Sequence, residues 1–160
     1  MAEIEAHNLA EPGDVLVIEG VVGVSNMGGL SAAIAKRQGE AGAVIDGAIR
    51  DVEQSRSQDF PIWSRGVSSI TGKWRLETVA INGIVHIRGV QVRPGDLVVA
   101  DEGAICFIPR EAVETVLKRA QEIGEGEARR YRDIQDGMPI PELARRTHVY
   151  KFSQDQREAT

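Results

Sequence analysis

Apolar and polar positions follow two rhythms along this chain. Up to Ile108, short apolar runs bounded by turn residues dominate, and from Pro109 a helical repeat takes over. Pro12-Gly13-Asp14 reads as a turn that feeds a strand over Val15–Glu19. Gly20–Gly29, rich in glycine and small residues, reads as a loop. Leu30–Glu40 predicts a helix with Leu30, Ala33, Ile34 and Arg37 on one face. Ala43–Asp46 predicts a short buried strand, Gly47–Asp51 its exit, and Val52–Gln58 a short polar helix. Phe60–Arg65 is a further strand, with Pro61 placing it at an edge or at its own start.

Val67–Glu77 then reads as a polar loop. Thr78–Ile81, Ile84–Ile87 and Val90–Val92 are strand-like, with an Asn82-Gly83 turn between the first two. Pro94-Gly95-Asp96 repeats the opening turn and feeds Leu97–Asp101, followed by Ala104–Ile108. Beyond Pro109, Val113, Val116, Leu117, Ala120 and Ile123 recur at helical spacing. Gly124 and Gly126 are expected to break or bend that helix, Glu127–Ile134 to resume it, and Gly137 and Pro139 to end it. Pro141–Arg146 predicts one more short helix, and the last eight residues read as loose. The mixed order favours an α/β or α+β domain over a pure βαβ repeat. The two PGD segments read as a local echo, since two copies are too few for a stacked array.

The 160 residues, 42% hydrophobic and 27% charged, suit one domain with a core of its own. A single cysteine, Cys106, excludes an internal disulfide and fits a reducing, cytoplasmic setting. The N-terminal segment lacks the positive start and apolar stretch of a secretory leader, and no apolar run is long enough to span a bilayer. Net charge is −5, and no region carries a basic stripe, so the expectation is no nucleic-acid and no membrane partner.

Arg50-Asp51 is the sharpest chemical signal, because both side chains leave a buried strand together. A guanidinium fork matches a carboxylate, and a carboxylate suits a hard cation. The bland alternative is an exposed ion pair. Asn26-Met27-Gly28-Gly29-Leu30-Ser31 precedes a helix, so its N–H groups can cradle an anion; the alternative is a plain connector. Asp46, at the same strand exit, is a candidate to orient Arg50 or a water. Asp101 and Glu102 read as turn residues, and His86 as a sheet-face or core histidine. Cys106, between Ile105 and Phe107, reads as a buried small hydrophobe. No HxxxH, CxxC or GxSxG spacing supports a zinc site or a hydrolase elbow.

Five stretches in order resemble the RraA-like family: Pro12–Val17, Ser25–Leu30, Gly42–Asp51, Asp59–Gly66 and Val92–Pro109. The resemblance runs from about residue 12 to about residue 137. It divides the chain into an N-terminal lead (1–11), an RraA-like domain (12–137) and a C-terminal extension (138–160). It implies a swivelling β/β/α fold assembled as a homotrimer or hexamer. It also implies one of two jobs. The first is a divalent-metal lyase, with Mg²⁺ or Mn²⁺, that cleaves 4-hydroxy-2-oxo dicarboxylic acids to pyruvate or decarboxylates oxaloacetate. The second is a non-catalytic regulator that binds a ribonuclease or another protein.

In the lyase reading the resemblance gives Arg50 the 2-oxo acid group, Asp51 the metal, and the loop Asn26, Gly28, Gly29 and Leu30 the substrate carboxylate. It adds Lys73 as a cation near the substrate. Asp46, Gln54 and Glu127 stand behind the metal, and Glu127, the best placed of Glu122, Glu125 and Glu127, is expected to reach a neighbouring subunit. Two departures stand out. Gln54 takes a place where the family's Gly29 version carries an acid, and only 11 residues precede Pro12 against the family's several tens.

Overall fold

The computed structural model describes residues 2–146. They form two compact units, one running through Arg110 and the other starting at Glu111. The expected loose tail lies outside the described residues.

The first unit is built on a strand that the chain makes apolar on both faces. β3 (Gly42–Ile49) is buried along nearly its whole length, as expected of a central parallel strand. It extends past the predicted Asp46 because Gly47 and Ala48 are small enough to continue it. β1 (Val15–Ile18) pairs in parallel with the first half of β3, Val15 opposite Gly42 through Ile18 opposite Ile45. β2 (Ser25–Met27) pairs in parallel with its end, Ser25 opposite Ala48 and Met27 opposite Ile49. β4 (Ile62–Val67) runs parallel along the other side, from Ala43 opposite Ile62 to Ile49 opposite Val67. β4 is therefore an edge, which is where Pro61 is tolerated.

Period-two alternation on β3 sorts the core into two layers. Ala43, Ile45 and Ile49 join Met27, Phe60 and the Ala32 and Ala35 face of α2 (Gly29–Gln38). α3 (Val52–Ser57) adds Val52 to this layer, and α1 (Ala2–Leu9), from the N-terminal lead, packs on α2. Val44 faces the other way. There it meets Ile87 and Val92 of the hairpin β5 (Val85–Ile87) and β6 (Val90–Val92), with Val98, Ile105 and Phe107 of the hairpin β7 (Leu97–Ala100) and β8 (Ile105–Ile108) packed around them. Helices, parallel sheet and hairpins make a mixed α/β, β/β/α arrangement, as expected.

The PGD echo is a single turn used twice. Asp14 and Asp96 each accept from the backbone N–H three residues earlier, at Glu11 (2.9 Å) and Arg93 (2.8 Å). Gly13 and Gly95 both sit at positive φ, 95° and 86°. The first turn feeds a parallel strand and the second an antiparallel hairpin.

Four expectations are corrected. β2 hides inside the glycine-rich loop, because Ser-Asn-Met has no apolar run to announce it. Thr78–Ile81 forms no strand, and Val79 is almost wholly exposed. The hairpin turn lies instead at Arg88-Gly89, both at positive φ (52° and 83°), the geometry a two-residue hairpin loop demands. Cys106 is exposed, since alternation on β8 turns Ile105 and Phe107 inward and Cys106 outward.

A 3₁₀ turn over Arg110–Ala112 leads into the second unit's helices, α4 (Val113–Gln135) and then α5 (Ile140–Arg146). α4 runs through Gly124 and Gly126 unbroken, which corrects the expected break. An isolated helical glycine costs only about 1 kcal/mol, and twenty-three residues of continuous helix absorb it. Gly137, at φ 74°, follows its end. Among the described residues no helix is long and apolar enough to cross a membrane.

Candidate functional site

Open parallel sheets offer ligands the carboxyl ends of their strands. Here β2 and β3 end side by side, each with a helix following. The two exits are tied by the backbone, Arg50 N–H donating to the Met27 carbonyl at 3.0 Å. Gly28-Gly29 and Arg50-Asp51 thus come together, although 22 positions separate Gly29 from Asp51.

Asp51 has φ 57° and ψ 41°, a left-handed conformation that asparagine and aspartate adopt more readily than other side chains. It occupies the N-cap position of α3, yet its carboxylate makes no cap bond to that helix. Oδ2 turns instead toward α2, accepts the Gly29 N–H at 3.1 Å and forms an ion pair with Arg50, 3.3 Å from its Nε. A side chain that ordinarily satisfies its own helix is held over the neighbouring helix start. Arg50 is steadied from the far side by Ser25, whose Oγ accepts from Nη1 at 3.3 Å while donating to the Met27 carbonyl at 2.8 Å. Arg50 and Asp51 remain one third and nearly one half exposed, so both have room to meet a ligand.

The two glycines leave room for the side chains that stand against them. A β-carbon on Gly28 would come within 2.6 Å of the Arg50 Cζ, and one on Gly29 would overlap the Gln54 amide oxygen. Gln54 therefore lies directly over the helix start, beside Asp51. With Gly28 as N-cap, the first-turn N–H groups of α2 lack intrahelical acceptors; Gly29 serves Asp51, and those of Leu30 and Ser31 come next.

The other expected residues fall elsewhere. The Asn26 amide is spent on backbone: it donates to the carbonyls of Val21, Val24 and Ala48 and accepts from Val21 N–H. It clasps the loop after β1 to β3, and Gly47 leaves it space, so its side chain acts as a structural clasp. The Leu30 side chain is largely exposed. Asp46 does not reach Arg50, which corrects that expectation. It lies on the hairpin face of β3, accepting from Arg88 N–H at 2.9 Å and pairing with Arg65 at 3.5 Å. Lys73 rests its ammonium over the Trp74 ring, 5.3 Å from the centroid. Its loop is nonetheless docked at the site by the Gly72 N–H donating to the Ser25 carbonyl at 3.1 Å. Glu127 lies exposed on α4, in the second unit. On the same helix Glu122 pairs with Arg119 and Glu125 with Arg129, as on a solvated face. Asp101 is a turn residue, as expected. Hydrogen bonds from the N–H groups of Ala104 and Gly103 hold its carboxyl below the usual range.

Ser25 was not among the sequence candidates. Nothing local marks it, because its contact with Arg50 crosses 25 positions. The same is true of His7, buried against Ser31 and Glu40.

The arrangement suits an oxo acid: a guanidinium fork, helix-start N–H groups and one carboxylate at a shared edge. Among the described residues no three His, Cys, Asp or Glu side chains converge as a ready-made metal cage. The donor set near Gly29 is Asp51 with the Gln54 amide oxygen. One carboxylate completed by water and substrate oxygens is a common way to hold Mg²⁺, so this set fits that ion. A separate shallow hollow lies at the ends of β3 and β4, lined by Val22, Arg65, Val67 and Ser68 among others, and does not include Arg50 or Asp51.

Comparison with known proteins agrees with this architecture. The RraA-like family profile, described as Aldolase/RraA, matches residues 2–106. A protein of Halalkalibacterium halodurans, provisionally named 4-hydroxy-4-methyl-2-oxoglutarate aldolase, is 36% identical over 140 residues, which is 86% of this chain and 66% of that protein. Among solved structures, an uncharacterized protein from Pseudomonas syringae superposes with a TM-score of 0.83 at 26% identity, over 94% of this chain and 70% of that one. Streptomyces coelicolor RraAS2, described as an unusual member of the RNase ES inhibitor RraA family, gives 0.67 at 29% identity, over 76% and 63%. The chain spans about a quarter to two thirds of the length of the first curated relatives it matches.

Proposed function

Because this chain belongs to the RraA-like family, we propose that its Arg50–Asp51 edge is the active site of a divalent-metal-dependent lyase acting on small 2-oxo acids. The observation that carries this reading is the Asp51 carboxylate, diverted from its own helix to the Gly29 N–H and the Arg50 guanidinium. The name of the Halalkalibacterium relative supports aldol cleavage of a 4-hydroxy-2-oxo dicarboxylic acid as the reaction. Decarboxylation of oxaloacetate belongs to the same chemistry, since both break the bond next to the carbon that becomes the pyruvate methyl group.

Asp51, with Gln54 beside it, would hold the Mg²⁺ or Mn²⁺ ion. When bound, that ion supplies Lewis acidity toward the 2-oxo group. The chain's own residues do the rest. The N–H groups of Leu30 and Ser31 donate to the substrate carboxylate at the start of α2. Arg50, braced by Ser25, lies beside the 2-oxo oxygen. As the C3–C4 bond breaks, its electron pair moves into the enolate of pyruvate and the carbonyl oxygen gains charge. A fixed guanidinium stabilises that charge without reorganising. In aldol cleavage the 4-hydroxyl passes its proton to a water at the open edge and becomes the carbonyl of the second product; in decarboxylation CO₂ leaves. The enolate is then protonated at carbon to give pyruvate.

Trp74 and Val79 stand almost wholly exposed, with Val22 and Val67 largely so. Exposed large apolar side chains of this kind suit coverage by a second copy of the chain, in keeping with a trimer or hexamer. Glu127 of one copy reaching another's site belongs to the same proposal.

The test is pyruvate release from oxaloacetate and from 4-hydroxy-4-methyl-2-oxoglutarate with Mg²⁺ or Mn²⁺. EDTA-sensitive turnover that disappears in Asp51→Ala is the expected result; turnover indifferent to both refutes the proposal. Gln54, uncharged where an acid is expected, favours a second reading, a regulator that inhibits a ribonuclease, as the family of the Streptomyces neighbour is described as doing. Inhibition of a purified ribonuclease by a chain without lyase activity would decide for it.

A further inference from the structure

α2 carries the proposed carboxylate cradle at one end, and a single imidazole braces both of its ends. His7, from α1, is fully buried. Its Nδ1 lies 2.6 Å from Glu40 Oε1, just beyond the helix's left-handed Gly39 cap, and its Nε2 lies 2.8 Å from Ser31 Oγ in the first turn. Its own carbonyl accepts from Gln38 Nε2 at 3.1 Å. An acid that only accepts makes Nδ1–H the donor to Glu40. Nε2 meets the Ser31 hydroxyl, and in the neutral ring it accepts from it. Glu40 is nearly as buried, and its second oxygen is buried without a hydrogen-bond partner among the described residues. The carboxylate therefore depends on His7.

This serine–histidine–glutamate chain has the order of a nucleophilic triad, but no reactant can reach it. Its effect is mechanical. Ser31 N–H is one of the amides facing the site, and Ser31 Oγ is the atom His7 grips. We infer that His7 is a positioning residue that, through Ser31, fixes the first turn of α2 in the geometry that receives the substrate carboxylate. The inference rests on the lyase reading for the identity of that carboxylate. The N-terminal helix thereby becomes part of the site's support.

Removing His7 strands Glu40 in the core and risks the fold, so Ser31 is the residue to vary. Ser31→Ala deletes only the arm to the first turn, and Ser31→Thr restores a hydroxyl. The probe is oxalate in the presence of Mg²⁺, with hydrogen exchange of the amides at 28–33 as a second readout. In Ser31→Ala the expected oxalate Kd rises five- to tenfold, KM rises in step and kcat stays within twofold. Exchange at 28–33 speeds about tenfold while residues 43–49 keep wild-type rates, and Ser31→Thr returns every value to within twofold. Wild-type binding with an unchanged Ser31→Ala, in Kd or in exchange, overturns the inference and leaves the lyase reading intact. A wild-type chain that neither binds oxalate nor turns over overturns both.

Discussion

Gln54 lies where a side chain on Gly29 would have to go: a β-carbon there would overlap its amide oxygen. The residue that departs from the acid expected beside Asp51 and the glycine at the helix start are therefore one spatial fact. The short residue admits the long one, and together they set an amide beside the candidate metal carboxylate.

That juxtaposition gives the first prediction. Gln54→Glu fits the same space and adds a negative charge beside Asp51. Mn²⁺ affinity, measured by calorimetry, is expected to rise about tenfold, the equivalent of about 1.4 kcal/mol at the partly screened edge of a protein. Affinity that stays level or falls means the amide does not face the cation.

Gly28 is tested through its neighbour. A β-carbon in Gly28→Ala pushes into the Arg50 guanidinium, 2.6 Å away, and the side chain must move. Oxalate binding is expected to weaken about tenfold while the thermal midpoint falls by only a few degrees, since an overpacked contact costs about 1–3 kcal/mol where it cannot yield and less at a half-exposed arginine. Wild-type binding in this variant would separate Arg50 from the ligand.

Asp51 combines charge with backbone strain, and two substitutions separate them. Asn tolerates the left-handed conformation, so Asp51→Asn keeps its stability yet loses metal-supported turnover by about a hundredfold or more. Asp51→Val loses turnover and, in addition, about 1–2 kcal/mol of stability, because a β-branched residue is disfavoured at φ 57°. Denaturant unfolding beside a pyruvate assay distinguishes the two. Equal stability in both variants would show that the conformation is not imposed by the fold.

Asp101 supplies a pH prediction. The N–H groups of Ala104 (2.8 Å) and Gly103 (2.7 Å) favour its charged form and lower its pKa from 3.8. A depressed carboxyl contributes stability that is present above its unfolded value and is lost as pH falls through its folded value. NMR titration should find its midpoint below 3.8, and Asp101→Asn should remove that acid-side dependence of the β7–β8 turn. A midpoint at or above 3.8 contradicts the turn's geometry.

The central strand, the helix after the glycine pair and the Arg50-Asp51 signal could all be read along the chain, because each rests on near neighbours. Apolar residues on both faces make β3, helical spacing makes α4, and a strand exit carries the charged pair; α2 is a helix where expected, but it buries Ser31, Ala32 and Ala35 and not the expected face of Leu30, Ala33, Ile34 and Arg37. The two PGD turns were equally legible, since an aspartate three residues on satisfies the backbone by itself.

What the tertiary structure decided lies across long separations. β2 is a strand because Ala48 and Ile49 pair with it, not because Ser-Asn-Met prefers extension. Asp46 faces the hairpin and not Arg50, because the side of β3 it occupies is fixed by what packs there. Cys106 points outward by the register of a hairpin closed elsewhere. Ser25 behind Arg50, Gln54 over Gly29 and His7 between the two ends of α2 are contacts of folded space. Local sequence encodes local geometry and residue chemistry; which distant groups meet is settled only when burying the two faces of one sheet brings its strand ends together.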